Sequence, residues 1–267
     1  MNYLDKLKLL KECIRAKKQL VVSFSGGVDS AVLLKISHDV LGDSVIAVII
    51  NDETFSASGL ESAREFVRTH GIRYEVIEIT QLDDPNFSKN PKNRCYYCKK
   101  NYLKVLKEIA ERECIQTIAD GVNISDFEEH RPGIRASDEE GVWHPFVDAG
   151  LTKEDIRNIA KSMGLTLWNK PSDACLASRI PYGEKITEEN LRMIELAEST
   201  IKEMGFLQVR VRLHGKIGRI EVIEEDIKKV LELRREIVPR LREIGFTYIT
   251  LDLEGYRSGS MDEVLKS

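Results

Sequence analysis

The chain is short of several things, and each shortage excludes a class of protein. No apolar run reaches membrane-spanning length, so no helical membrane span is expected. Met1–Lys8 reads as the start of an amphipathic helix, not as a signal peptide. There is no excess of positive charge: 40 Lys and Arg against 44 Asp and Glu leave a net charge of −4. Nucleic acid is therefore not expected as an obligatory partner, although a local basic groove is compatible with that balance. Cysteine is scarce and odd in number, five in 267 residues, which argues against a disulfide framework and for a reducing cytoplasm. Such thiols are ligands, nucleophiles or core residues. Internal repeats and low-complexity tracts are also missing.

What is present is organised around Leu20–Lys35. An apolar run too short for a helix leads into Ser25-Gly26-Gly27-Val28-Asp29-Ser30 and then into a helical pattern, which reads as strand, tight turn, helix. Glycines let the backbone turn sharply and approach a ligand. The new helix points unpaired N–H groups and its positive dipole end into the turn, an arrangement that binds phosphate. Ser25 and Ser30 add hydroxyl donors, and Asp29 is placed to orient a metal ion or its waters. No Gly-Lys-Ser/Thr ending follows, so the turn is not a Walker loop.

Around this stretch the pattern alternates strand and helix. Helices are expected over residues 3–17, 28–41, 57–70, about 95–113 and 152–163, with strands at 20–24, 44–50, 74–79 and 117–120. That predicts a doubly wound parallel α/β sheet over residues 1–183. The composition changes behind the irregular stretch from Trp168 to Tyr182. Residues 184–267 read as a smaller α+β domain: a helix over 187–204, strands at 207–213 and 217–223, a helix over 225–244 interrupted by Pro239, and a last strand at 248–253.

Cys95 and Cys98 form a Cys-x-x-Cys pair, spaced to put two thiolates on one metal. Cys175 lies in a loop expected to return to the carboxyl edge of the sheet. Three cysteines without an obvious fourth favour a [4Fe–4S] cluster with one open iron. Zinc, with His130 or His144 as fourth ligand, and unrelated thiols remain alternatives. Cys13 and Cys114 are expected in the core. Trp143, Trp168, His130 and His144 are expected to pack loops.

The Ser-Gly-Gly-Val-Asp-Ser block resembles the PP-loop of the ATP pyrophosphatase superfamily, whose members split ATP between its α and β phosphates. Further stretches resemble one family, the LarE-type ATP-dependent sulfur transferases. They are Asp120-Gly121-Val122-Asn123 with Arg131-Pro132-Gly133, Gly150–Lys153 with Ile156-Arg157, Cys175-Leu-Ala-Ser178-Arg179, and Arg210-Val-Arg212-Leu-His214 with Arg219-Ile-Glu221. The resemblance implies ATP and Mg²⁺ as cofactors and adenylation of a carboxylate of a pyridinium mononucleotide. A sulfide donor then provides the sulfur of a thiocarboxylate, on the way to the nickel-pincer cofactor. Ser25, Gly26, Gly27, Asp29, Ser30, Gly121 and Asn123 are the implied nucleotide site. Some members sacrifice the cysteine corresponding to Cys175; others carry three cysteines and resemble cluster enzymes, the group implied here by Cys95, Cys98 and Cys175.

In the C-terminal hairpin, alternation puts Arg210 and Arg212 on one face and Arg219 and Glu221 on a matching one. The resemblance marks the arginines as a site for the substrate's phosphate, with Arg257 as a further candidate. It also implies Ser178 and Arg179 as substrate contacts, Glu221 as a metal ligand, and a homo-oligomer. Competing readings are tRNA thiolation, disfavoured by the acidic balance, and amidation, disfavoured by the lack of a glutaminase segment. A non-catalytic nucleotide sensor is a further alternative.

Overall fold

The computed structural model describes residues 2–128, 131–169 and 175–265. The chain begins with α1 (Tyr3–Lys17), β1 (Leu20–Ser23), α2 (Val28–Leu41), β2 (Val45–Asn51), α3 (Ala57–Thr69) and β3 (Tyr74–Glu78). It continues with a short α4 (Pro85–Ser88), α5 (Arg94–Arg112), β4 (Ile118–Ala119), α6 (Pro132–Glu139), α7 (Pro145–Asp148) and α8 (Lys153–Ser162). The last part holds α9 (Glu188–Glu203), β5 (Val209–His214), β6 (Ile217–Val222), α10 (Ile227–Glu232), α11 (Arg234–Ile244) and β7 (Tyr248–Leu251). No helix among the described residues is long and apolar enough to cross a membrane.

Contacts divide the chain into two units, Met1–Gln81 with Asn93–Asp173, and Leu82–Lys92 with Ala174–Ser267. This differs from a division after Gly183, and the reason is local. The Asn90 side-chain amide donates to the carbonyls of Ile180 and Pro181 at 3.2 and 2.7 Å. Gly183 N–H donates to Asn90 O and Ile186 N–H to Ser88 O. These bonds tie residues 82–92 and the stretch before Gly183 into the second unit.

The first unit is built on a parallel sheet in the order β3-β2-β1-β4. The continuous apolar run of β2 is explained by burial on both faces. Val45, Ala47 and Ile49 join one core with Leu20, Val22, Leu33, Phe66 and Ile156. Ile46, Val48 and Ile50 join the other with Val21, Leu103, Leu106 and Ile109 of α5. Each such Val, Leu, Ile or Phe side chain contributes about 1.5–3 kcal/mol by leaving water. The strand order also creates a switch point: the chain leaves β1 toward β2 on one side, while β4 lies on the other. Ligands bind in the crevice outside the carboxyl ends of strands at such a point.

The second unit holds the sheet β5-β6-β7, antiparallel between β5 and β6 and parallel between β6 and β7, with α9 packed on β5. The expected helix over 225–244 breaks at Leu233, and Pro239 sits inside α11. Pro239 lacks the N–H that would bond to Arg235 O, so it removes one internal hydrogen bond from α11, while the break at Leu233 lies ahead of it. Cys114 is not a core residue. It is exposed, with φ +55°, at the left-handed position that ends α5. Its N–H donates to Glu111 O, and the N–H of buried Ile115 to Ala110 O. This is the Schellman pattern, which turns the side chain of that position outward and buries the next one. Cys13 is half-buried.

Candidate nucleotide and sulfur site

Behind β1 the chain makes the turn Phe24–Gly27 and enters α2. Gly26 has φ +72°, and a Cβ there would lie 3.1 Å from Ala63 Cβ, so only glycine fits the corner. Ser30 Oγ lies 3.1 Å from Ser25 Oγ, donates to Gly27 O and accepts from Ser25 N–H. These bonds hold the turn shut from within. Gly27 caps α2 without a side-chain hydrogen bond, so no side chain covers the N–H groups of its first turn.

The loop after β4 completes the crevice. A Cβ on Gly121 would sit 2.9 Å from Ser30 N and 3.1 Å from Asp29 C, both backbone atoms that cannot yield. Asn123 is fully buried; its Oδ1 accepts from Ser125 N–H, while its Nδ2 has no hydrogen-bond partner. A buried amide donor without a partner costs free energy unless a ligand accepts from it. Burial lifts the Asp29 carboxyl from 3.8 to about 6, Asp126 adds to the rise, and Lys153, Arg131 and Arg157 pull it down. Three cations thus act electrostatically on the start of α2. Arg131 also pairs with Asp126 at 3.1 Å. Lys153 and Arg157 lie in α8, whose first turn is fixed by a capping box of Thr152 and Asp155. The family resemblance includes Lys153 and Arg157 in one of its stretches, but their helical spacing alone gives them no role at the nucleotide.

Asp120, at the end of β4, gathers a buried network. Its carboxylate accepts from Lys99 Nζ at 2.9 Å, Ser137 Oγ at 3.2 Å and Val122 N–H at 3.2 Å, and lies 2.6 Å from His144 Nδ1. Burial opposes its ionisation, but the charge of Lys99 and the hydrogen bond to His144 outweigh it and hold the carboxyl below its usual range. His144 is therefore more than loop packing. Burial lowers its pKa, yet the hydrogen bonds and charges of Asp120 and Asp138 prevail, and the net shift is upward. A histidine raised above its ordinary value supports the fold fully below that value and loses the support as pH rises through the folded pKa. The stability difference between wild type and His144→Gln is accordingly largest near pH ~6 and shrinks toward pH ~9. Urea unfolding across that range measures it, and a constant difference would contradict the pairing.

Cys95 lies in the first turn of α5 and Cys98 three residues further on, on the same face. Cys95 and Cys175 are exposed, Cys98 is half-buried, and none of the three is in a disulfide. Within each unit, no group of three or more His, Cys, Asp or Glu among the described residues is arranged to hold a metal ion. His130 lies outside the described residues.

Cys175 belongs to the second unit, at the start of a 3₁₀ turn over Leu176–Arg179. Arg179 is fully buried and spends its guanidinium inside the protein. Nε and Nη2 donate to the two oxygens of Glu198 at 2.8 and 3.0 Å, and Nη1 donates to Cys175 O and Ser178 Oγ. Such a residue positions the Cys175 loop without reaching a substrate. The hairpin pairs Arg210 with Glu221 and Arg212 with Arg219 across β5 and β6, which brings the polar faces together. The arginine face is covered as well as the apolar one. Arg212 donates to Glu221 Oε2 from Nε and Nη2, and also to Ser178 O and Ser260 Oγ. Glu221 is fully buried and also accepts from Arg219 and Ser260, so it serves as an internal counter-ion rather than an open metal ligand. Arg210 lies over the Tyr256 ring at 5.7 Å, and Arg257 is half-buried among Asp252, Glu254 and Glu263.

A four-stranded parallel sheet with a glycine turn between its central strand and an uncapped helix defines a PP-loop nucleotide-binding protein. The sequence profile of the NAD synthase family matches residues 5–105. A pyridinium-3,5-bisthiocarboxylic acid mononucleotide synthase of Lactiplantibacillus plantarum is 35% identical over 96% of this chain and 93% of its own. An uncharacterized protein of Synechocystis sp. is 36% identical over 98% of each chain, and one of Methanocaldococcus jannaschii is 30% identical over 97% of this chain and 100% of its own. The chain belongs to the LarE-type family of PP-loop proteins. It is an ATP-dependent enzyme that works through AMP-linked intermediates.

Proposed function

We propose that the enzyme adenylates a carboxylate of a pyridinium-3,5-biscarboxylate mononucleotide and replaces the activated oxygen by sulfur. The observation that carries this reading is the start of α2, whose N-cap Gly27 makes no side-chain cap bond and whose Asp29 feels the positive charge of Lys153, Arg131 and Arg157, in a chain so similar to the bisthiocarboxylate synthase. A carboxylate oxygen attacks the α phosphorus of ATP and pyrophosphate leaves. A sulfur nucleophile then attacks the acyl carbon, and AMP departs with the original oxygen. The N–H groups and hydroxyls of Ser25, Gly26, Gly27 and Ser30 hold the departing pyrophosphate, where donors preorganised for developing charge contribute most. Lys153 and Arg157 offset its charge. Gly121 lets the two loops meet, and Asn123 Nδ2 donates to the nucleotide.

Asp29 suits Mg²⁺, which takes one or two carboxylates and completes its shell with water and substrate phosphate. In the second unit, half-buried Arg257 holds the substrate's phosphate, Ser178 contacts the substrate, and Arg179 positions Cys175, whereas Arg210 and Arg212 are buried and serve the hairpin internally. Three cysteines outside any disulfide, two of them three residues apart on one helix, suit a [4Fe–4S] cluster held by Cys95, Cys98 and Cys175. When bound, the cluster supplies the sulfide that an external donor replenishes. Cysteines outside disulfides suit the cytoplasm, and a homo-oligomer is the expected state.

The test is anaerobic purification with iron and sulfide assay, followed by reaction with ATP and the biscarboxylate mononucleotide. Wild type is expected to release pyrophosphate and form the thiocarboxylate. Cys175→Ala is expected to lose the cluster and the thiocarboxylate while retaining pyrophosphate release. No pyrophosphate release with this substrate, or sulfur incorporated into tRNA instead, would overturn the reading.

A further inference from the structure

Gln81 follows β3 at the carboxyl edge of the sheet and is fully buried. Its backbone N–H donates to Glu53 Oε2 at 3.0 Å. Its side-chain oxygen accepts from Asn101 Nδ2 at 2.9 Å, which fixes the orientation of the amide. The NH₂ end is thereby turned to Cys98, 3.3 Å from its carbonyl oxygen and 3.5 Å from its sulfur. Asn101 stands three residues beyond Cys98 on α5, on the same face. A buried amide could close a loop with its backbone alone. Here a second side chain selects which end meets the thiol.

We infer that Gln81 is a positioning residue for the thiolate centre: oriented by Asn101, it donates an N–H to Cys98 Sγ and fixes that ligand's direction. The inference rests on the cluster reading above. An N–H donated to a ligating sulfur withdraws negative charge from it, and hydrogen bonds of this kind set the reduction potential of iron–sulfur centres. Partners that orient first ligands are typically worth ~10–100-fold in metal affinity. The donor belongs to the loop that also carries the Glu53 contact, so the end of β2 and the cysteine turn are held in one register.

The experiment uses anaerobically reconstituted full-length protein, with Gln81→Met, which keeps the volume and removes the donor. Asn101→Leu is the second variant; it frees the amide without touching Cys98 and changes a half-buried position. Two quantities are read, the midpoint potential of the cluster and the rate of iron loss to a ferrous chelator. Gln81→Met is expected to shift the potential negative and to lose iron ~10-fold faster, with Asn101→Leu smaller in the same direction. A wild-type cluster whose potential and iron loss are unchanged in the variants overturns the role of Gln81 alone. If Gln81→Met does not fold, an unchanged Asn101→Leu is sufficient to overturn it. Wild-type protein that takes up no iron overturns the cluster reading and this inference with it.

Discussion

Gly121→Ala is expected to lower kcat/KM for ATP ~100-fold, the scale of loss that follows a misplacement of about 1 Å in a preorganised site. The added methyl would lie 2.9 Å from Ser30 N and 3.1 Å from Asp29 C. Neither atom can rotate away, because both belong to the first turn of α2. The conflict resolves by backbone movement, and what moves is the row of N–H groups assigned to pyrophosphate. Overpacking by one methyl costs about 1–3 kcal/mol, a small part of what holds a sheet buried on both faces, so the protein should still fold. Pyrophosphate release and thermal unfolding measured on the same preparation separate the two effects. A folded variant with wild-type kinetics would show that the crevice between β1 and β4 does not hold the nucleotide.

What the sequence reveals of this site follows from distance along the chain. The glycine turn, the buried run of β2 and the matched faces of β5 and β6 are written in neighbouring residues, with periods of one or two positions. They are legible directly. The pairings that position the chemistry are long-range. His144 meets Asp120 across 24 residues and Gln81 meets Cys98 across 17, and no local pattern announces either. Lys153 and Arg157 are ordinary helix residues until α8 is packed beside α2. The arginine face of the hairpin shows the complementary limit. Alternation places Arg210 and Arg212 on one side but does not say what covers that side. Cys114 defies the local pattern for a similar reason: its neighbours follow the helical period, and only the left-handed backbone beyond Arg112 turns its side chain outward.

Glu198→Gln is expected to destabilise the protein by about 3–5 kcal/mol, because it strands Arg179 as a buried charge without its counter-ion. In a chain of this size that corresponds to a fall in Tm on the order of 10 °C. Glu198 has a duty beyond the ion pair itself. Its Oε1 accepts from Arg179 Nε and from the backbone N–H of Val211 at 3.0 Å, so it also satisfies an edge strand. Arg179 in turn donates to the carbonyl of Cys175, at 3.0 Å. Loss of the pair therefore reaches the cysteine loop through one guanidinium. Arg179→Met alone leaves Glu198 buried with only Arg210 Nη1, 4.0 Å away, as counter-ion among the described residues, and should cost somewhat less. The double variant Arg179→Met/Glu198→Gln should recover part of the stability, since an uncharged pair avoids the desolvation that each single change exposes. Calorimetry on the four proteins gives the coupling. A different result would restore Arg179 as a substrate contact: Arg179→Met with unchanged Tm, unchanged kcat and a raised KM for the mononucleotide. The burial of the guanidinium and its four internal acceptors lead to the opposite expectation, a protein weakened first and impaired in sulfur transfer as a consequence.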